Sequence, residues 1–245
     1  MMQASSLTIT SRRQLTANVY EAVLSGDVSA FTAPGQFLNI RLDGLYLRRP
    51  ISVCDLVDHS VTIVYKVVGR GTAQLAALPV GTSLSVLTGL GNGYNTQISG
   101  GRPLLLGGGV GVPPLYLLAK TLLAESKTVT VVLGFNTADE VFYESEFRAL
   151  GANVIVATAD GSAGIRGFVT DALPQAGAYS HVYTCGPEPM LRAVYHTIQT
   201  GGSFSFEERM GCGFGACMGC SCETKYGSKR ICRDGPVLEK EEIAW

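Results

Sequence analysis

The chain has 245 residues, of which 46% are hydrophobic and only 16% charged, with 19 basic side chains against 20 acidic ones. That is enough apolar material for a sizeable core in one or two domains, and too little charge for a disordered chain. A net charge of −1 without a run of like charges excludes the basic stripe of a nucleic-acid binder.

In residues 1–97, short runs alternate apolar and polar positions between glycines and prolines. Ser6–Thr10, Gln36–Ile40, Val61–Tyr65 and Ser83–Leu87 all have period two. Closely spaced short strands of this kind predict a small antiparallel β-barrel. Within it, Arg48-Arg49-Pro50-Ile51-Ser52 places a guanidinium and a hydroxyl on one strand, and Arg70-Gly71-Thr72 sets another cation beside a tight turn. Arginine suits a phosphate and serine can donate to one, although arginines at a surface are commonly just solvated.

From about Gly101 the pattern changes, and residues 98–202 alternate strand and helix. Leu104–Leu106 is a short apolar run. It leads through Gly107-Gly108-Gly109-Val110-Gly111 into Pro113-Pro114 and a helix with Leu115, Leu118, Ala119, Leu122 and Leu123 at helical spacing. Thr128–Leu133 and Asn153–Ala157 read as buried strands flanking a helical stretch, Glu144–Leu150. His181–Thr184 is a further strand, followed by Cys185-Gly186-Pro187 and a helix with Met190, Leu191, Val194 and Ile198. This order predicts a parallel, doubly wound α/β sheet. Two Gly-rich turns at the carboxyl ends of parallel strands point to one crevice. Backbone amides at Gly108, Gly109 and Gly111 suit a pyrophosphate, while tight packing is the plainer reason for such a turn and burial the plainer reason for Cys185. The apolar, uncharged stretch Pro103–Ala119 falls short of the roughly 20 residues of a spanning helix. The first residues lack a basic region followed by an apolar one, so the chain reads as soluble, cytoplasmic and free of membrane.

Residues 203–245 are too few and too glycine-rich for a core of their own and need a staple. Five of the seven cysteines lie between Cys212 and Cys232. Cys212, Cys217 and Cys220 stand at C-x4-C-x2-C, the plant-type [2Fe–2S] spacing, and Cys232 completes four thiolates. A structural zinc site is the alternative, but it usually shows two C-x2-C knuckles and here there is one. Cys222 is a spare thiol. His59, His181 and His196 have no mutual spacing for metal or nucleophilic work.

The order Pro34-Gly35-Gln36-Phe37, Arg49-Pro50-Ile51-Ser52, Gly107–Gly111, Cys185-Gly186-Pro187 resembles the ferredoxin–NADP reductase superfamily of flavoproteins. Arg48–Ser52, Gly89-Leu90-Gly91-Asn92-Gly93-Tyr94 and the cysteine segment ending in Cys232-Arg233-Asp234-Gly235-Pro236-Val237 resemble, more narrowly, the electron-transfer subunits of type B dihydroorotate dehydrogenase. The resemblance spans essentially the whole chain. It implies an FAD-binding barrel (1–97), an NAD-binding domain (98–202) and a [2Fe–2S] domain (203–245). Arg49, Pro50, Ile51 and Ser52 match the FAD strand, Val64, Tyr65 and Lys66 the next strand, and Gly71 and Thr72 the pyrophosphate turn. Gly108, Gly109, Gly111, Cys185 and Gly186 match the NAD crevice, and Cys212, Cys217, Cys220 and Cys232 the cluster ligands. No residue of this chain is then catalytic in itself. Dihydroorotate is oxidised on a separate FMN-containing catalytic subunit, in a heterotetramer of two of each chain. Electrons pass through the cluster and FAD to NAD+, in pyrimidine (UMP) biosynthesis.

Gly134–Glu140, after the second strand of the nucleotide segment, holds acidic residues and no arginine, which favours NAD over NADP. Two other readings stay open: a flavin and iron–sulfur reductase subunit of another complex, of the sulfide dehydrogenase or NADH-dependent ferredoxin reductase type, and a zinc-stapled binding module without catalysis.

Overall fold

The computed structural model describes residues 2–245. Six strands, β1 (Gln3–Gln14), β2 (Val19–Gly26), β3 (Phe37–Ile40), β4 (Arg49–Val57), β5 (Ser60–Lys66) and β6 (Ser83–Leu90), close into an antiparallel barrel in the order β1-β2-β5-β4-β3-β6. Closure follows from the alternation: Leu7, Ile9, Leu24, Leu38, Ile40, Val61, Ile63, Leu84 and Val86 all point into one core. A short helix, α1 (Arg70–Ala77), covers one side and contributes Leu75 to the same core.

The second unit is a seven-stranded sheet. It contains β7 (Pro103–Gly108), β8 (Thr130–Phe135), β9 (Asn153–Thr158), β10 (Ile165–Arg166), β11 (His181–Cys185), β12 (Gly202–Ser205) and β15 (Val237–Glu239), in the order β10-β9-β8-β7-β11-β12-β15. All pairs are parallel except β12 with β15. The strands are buried on both faces. Leu105, Val131 and Leu133 pack with helices α2 (Pro114–Ala124) and α3 (Glu144–Ala149), while Leu104, Leu106 and Val132 face α4 (Glu188–Thr197). Strand order reverses between β7 and β11, so the crevice that such folds use for ligands opens at the carboxyl ends of those two strands.

The cysteine segment leaves β12, forms a hairpin of β13 (Ser221–Thr224) and β14 (Gly227–Arg230) and a single helical turn, α5 (Ile231–Asp234), and returns as β15. Its core is therefore borrowed: Cys220, Ile231 and Cys232 pack in one cluster with Phe37 and Leu90 of the barrel and Phe204 and Leu238 of the sheet. The strand at Gly202–Ser205 lies across residue 203 and, with β15, pairs within the sheet of the second unit.

Barrel and sheet are locked by polar contacts. Arg13 of β1 pairs with Glu21 (2.7 Å) and with Glu146 of α3 (2.9 Å), Tyr143 donates to Glu21 (2.6 Å), and Lys120 of α2 pairs with Asp55 of β4 (2.8 Å). Burial and the neighbouring Cys54 and Glu21 push the Tyr143 hydroxyl far above its ordinary range, so it remains a donor. Among the described residues no helix is long and apolar enough to cross a membrane.

Candidate functional site

The two arginines of β4 do different work. Pro50 has no N–H to give to its cross-strand partner Asn39, and the Arg48 guanidinium supplies a donor in its place to the Asn39 carbonyl (3.3 Å), reaching the Ser85 carbonyl (2.9 Å) as well. Arg49 instead lies over the first turn of α1, where a Cβ at Gly71 would collide with its guanidinium. A cation packed over a helix N-terminus against a residue without a side chain makes an anion seat, the kind of cradle a pyrophosphate fits. The Thr72 hydroxyl is engaged inside that turn, accepting from the backbone N–H groups of Val68 (3.0 Å) and Gly69 (3.3 Å).

The other barrel candidates separate by face. Ile51 packs inward opposite Leu38, whereas Pro50 and Ser52 share the outward face with Asn39 and Phe37. Val64 joins the core between barrel and sheet. Tyr65 points into the barrel, stacks on Tyr20 at 6.2 Å and finds no partner for its buried hydroxyl among the described residues, with burial pushing its pKa up to about 12. Lys66 reaches the crevice between the two units, which is lined also by Asn18, Gly109, Val110, Phe135 and Glu140.

At the switch point, Gly108, Gly111, Cys185 and Gly186 meet. A Cβ at Gly111 would strike the Cys185 carbonyl, and Cβ atoms at Gly108 and Gly186 would both strike Met190. Close packing therefore accounts for these glycines, and it draws the β7 and β11 turns together. Gly109 differs: its φ is +53° and open space lies where a side chain would stand. Cys185 is pushed up to about 12 by burial, which makes it an inert thiol. Glu140 stands fixed at the rim, accepting from the Asn136 backbone N–H (3.2 Å) and side-chain amide (2.7 Å).

Four of the five cysteines of the C-terminal segment, Cys212 with Cys217 and Cys220 with Cys232, gather as two pairs. Cys212 receives backbone N–H groups from Ala216 (3.2 Å) and Cys217 (3.4 Å), and Cys220 receives one from Cys232 (3.4 Å). Against the opposing effect of burial, the amides of Phe214, Cys217 and Ala216 pull Cys212 down to about 6, a ready thiolate. Cys232 is driven the other way, up to about 12, by burial and by the neighbouring Cys220 and Cys212. Thiols whose charges exclude one another in this manner need a cationic centre to be thiolates together. Pairs suit a two-iron cluster, in which each iron takes two, better than the single point of a tetrahedral zinc. Among the described residues no three His, Cys, Asp or Glu side chains converge as a single-ion site. Arg230 holds the loop to α5, bonding Asp234 and the Gly215 carbonyl, both at 3.0 Å. Cys222 lies on β13 opposite Lys229 and packs against the C-terminal core, which accounts for the thiol left over. His181 is buried and bonded to Ser203, while His59 and His196 are exposed.

Two asparagines seat the cluster segment on the barrel. Asn92, within the Gly89–Tyr94 run, mimics a strand: its amide donates to the Val237 carbonyl (2.8 Å) and accepts from the Val237 N–H (3.1 Å). Asn39 donates to the Cys212 carbonyl at 3.4 Å. Asn39 belongs to no motif, and its one signal is an amide between apolar neighbours in Phe37-Leu38-Asn39-Ile40.

Residues 207–244 match the iron-sulfur cluster binding domain of dihydroorotate dehydrogenase B, and residues 105–196 match the oxidoreductase NAD-binding domain. The chain is 45% identical to the dihydroorotate dehydrogenase B (NAD(+)) electron transfer subunit of Shouchella clausii (strain KSM-K16), over 97% of this chain and 96% of that one. It is 42% identical to the protein of the same name in Bacillus pumilus (strain SAFR-032), over 99% of both. Among solved structures, a chain of an NADH-dependent reduced ferredoxin-NADP oxidoreductase superposes with a TM-score of 0.88 at 30% identity, over 98% of this chain and 90% of that one. A ferredoxin NADP+ reductase from Neisseria gonorrhoeae, at 16% identity and a TM-score of 0.68 over 80% and 89%, shares the fold. The chain belongs to the family of the electron transfer subunits of dihydroorotate dehydrogenase B.

Proposed function

We propose that the chain is the relay subunit of an NAD-dependent dihydroorotate dehydrogenase. It accepts electrons from an FMN-containing catalytic subunit and delivers them to NAD+ by way of a [2Fe–2S] cluster and FAD, in pyrimidine biosynthesis in the cytoplasm. The observation that carries this reading is the four-thiol seat bound on one side to the barrel and on the other to the nucleotide sheet. A flavin reductase without a cluster has no use for it. Bound FAD supplies the exchange between a hydride and single electrons that joins a nicotinamide to an iron–sulfur centre.

The chain's own residues hold and orient. Arg49, Gly71, Thr72 and the α1 N-terminus take the FAD pyrophosphate. Pro50 and Ser52, on the outward face of β4, build the wall along which the flavin lies, with Lys66 at its crevice end, while Ile51, Val64 and Tyr65 contribute the strand backbone behind it. Gly108, Gly109, Gly111, Cys185 and Gly186 form the NAD crevice, where the fixed carboxylate of Glu140 repels a 2′-phosphate. Cys212, Cys217, Cys220 and Cys232 ligate the cluster. On this reading the functional units run over 1–97, 98–202 and 203–245, with the last threaded back through the sheet of the second.

Beside the cluster seat, Phe214 and Met218 are 42% and 55% exposed, and a pocket of about 250 Å³ is lined by Met2, Gly89–Gly91, Phe214, Cys232 and Arg233. Apolar side chains left in water around a redox centre suit a protein face. We assign this surface to the catalytic subunit, in a heterotetramer of two of each chain. The test is dihydroorotate-dependent NADH formation by this chain reconstituted with an FMN-containing dihydroorotate dehydrogenase from the same source. Activity that needs both proteins is the expected result. A chain that holds FAD and iron and reduces artificial acceptors with NADH, yet yields no NADH from dihydroorotate, belongs to another reductase complex.

A further inference from the structure

Asn39 is 1% exposed, and its side-chain oxygen Oδ1 has no hydrogen-bond partner among the described residues. A buried acceptor left in that state pays its full desolvation cost, so an orphan of this kind needs an explanation. Its other side is engaged: Nδ2 donates to the carbonyl of Cys212 at 3.4 Å, and a Cβ on Gly213 would collide with the amide. Exchanging the oxygen and nitrogen of the amide would set oxygen against the Cys212 carbonyl, so the donor end is settled by chemistry.

Alternation along β3 decides what the free oxygen can meet. Leu38 and Ile40 enter the barrel, whereas Phe37 and Asn39 face outward. Cross-strand pairing sets Asn39 opposite Pro50 and Phe37 opposite Ser52, so the four residues share one face of the β3–β4 pair. Phe37 packs in one cluster with Cys220 and Cys232. This face thus carries the cluster loop at its β3 edge and the proposed flavin wall at its β4 edge, with the Asn39 amide between them.

We propose that Asn39 is a positioning residue bridging the two redox centres: its N–H holds the cluster loop at Cys212, and its free oxygen accepts a hydrogen bond from the flavin. The inference rests on the relay reading above. An iron–sulfur cluster brings no N–H or O–H donor, whereas a flavin brings a ring N–H and ribityl hydroxyls, so the flavin is the partner whose chemistry completes the amide. The bridge fixes the distance and orientation across which electrons pass.

The test uses the full chain carrying FAD and cluster, as wild type, Asn39→Ala and Asn39→Asp. Iron content, the FAD dissociation constant, the flavin absorption envelope, the electron paramagnetic resonance of the reduced cluster and the rate of cluster bleaching by NADH are measured. Asn39→Ala keeps all four thiolates, so iron content holds. FAD binding weakens about tenfold, the value of one lost hydrogen bond of roughly 1.4 kcal/mol. The flavin envelope shifts, and bleaching slows at least as much. Wild-type FAD affinity, or wild-type bleaching, in that variant overturns the proposal. Asn39→Asp, of the same volume, keeps an acceptor but loses the donor to Cys212. It retains FAD while the cluster resonance and the bleaching rate change, and an unchanged resonance with wild-type bleaching overturns the proposal even if the alanine variant fails to fold. A wild-type chain that takes up neither iron nor FAD refutes the relay reading instead, a result distinct from any of these.

Discussion

Replacing Arg49 with alanine separates the anion seat from ordinary barrel structure. The guanidinium lies against the first turn of α1 over Gly71, half-buried, and makes no ion pair with a carboxylate among the described residues. Its charge is therefore available to a pyrophosphate. A charge-assisted hydrogen bond of this kind contributes roughly 1.5–3 kcal/mol. At about 1.4 kcal/mol per decade, losing one raises the FAD dissociation constant roughly 10- to 150-fold. Flavin fluorescence quenching on titration of the apoprotein measures this directly. Arg48→Ala is the control, because Arg48 bonds the Asn39 carbonyl that Pro50 cannot serve. That variant loses stability, about 1–3 kcal/mol for one buried acceptor left bare, with a fall in Tm of about 2–4 °C per kcal/mol, while FAD affinity stays near wild type. Equal FAD affinities in the wild type and Arg49→Ala, or a larger loss in Arg48→Ala, refute the division of labour between the two arginines.

Cys217→Ser removes one of the paired thiolates. Iron and acid-labile sulfide fall away while FAD remains bound, since the flavin seat is built on β4 and α1; a full cluster signal in the variant excludes Cys217 as a ligand. Gly111→Ala drives a methyl group into the Cys185 carbonyl and spreads the two turns at the switch point. NADH-dependent dye reduction collapses while FAD content holds, and kinetics matching the wild type remove Gly111 from the crevice. Burial lowers the His181 pKa below its ordinary 6.5. The unfolded chain then binds a proton before the native state does, so the stability contributed by neutral His181 is whole above about pH 6.5 and drains away as the pH falls below it. Glu239, raised by burial beyond the Ser203 hydroxyl, runs in the opposite sense, because its native form is the easier to protonate. Urea denaturation from pH 7.5 down to 5 isolates the histidine: the difference between wild type and His181→Asn shrinks on acidification, and parallel curves refute the assignment.

What was legible in the sequence was whatever is local. Alternation exposed the strands at Ser6–Thr10, Gln36–Ile40, Val61–Tyr65 and Ser83–Leu87, and helical spacing after Pro113-Pro114 exposed α2, because each pattern lies within a few residues of itself. The C-x4-C-x2-C spacing was readable for the same reason: one loop wraps most of the centre. Strand β2 escaped because Val19-Tyr20-Glu21-Ala22-Val23-Leu24 does not alternate cleanly. Its outward positions meet the sheet unit, as Glu21 does through Arg13 and Tyr143. Strands β12 and β15 are four and three residues long, and only pairing with each other and with β11 makes them strands. The separate uses of Arg48 and Arg49, and the inward turn of Tyr65, follow from register, and register depends on partners remote in the chain.

The path of the cysteine segment explains why such a short stretch can hold a redox centre at a defined place. It begins at Ser205 and ends at Val237, and those two residues are paired in register at the edge of the sheet. The loop is therefore closed before any metal binds, and much of the chain entropy that a cluster would otherwise have to overcome is already spent by the sheet. Beyond that closure the barrel intervenes twice, through Asn92 at Val237 and through Asn39 at Cys212, one contact just after the last cysteine and one at the first. A loop pinned at its ends by the nucleotide unit, and at Cys212 and Val237 by the flavin unit, cannot follow either unit alone. Any displacement of the sheet against the barrel must be absorbed within the loop, where Arg230 braces Gly215 to the α5 turn. The Arg13–Glu146, Tyr143–Glu21 and Lys120–Asp55 contacts oppose that displacement from the other side of the barrel. Rigidity between the two units is thus what lets a segment without a core of its own keep a fixed distance to the flavin wall.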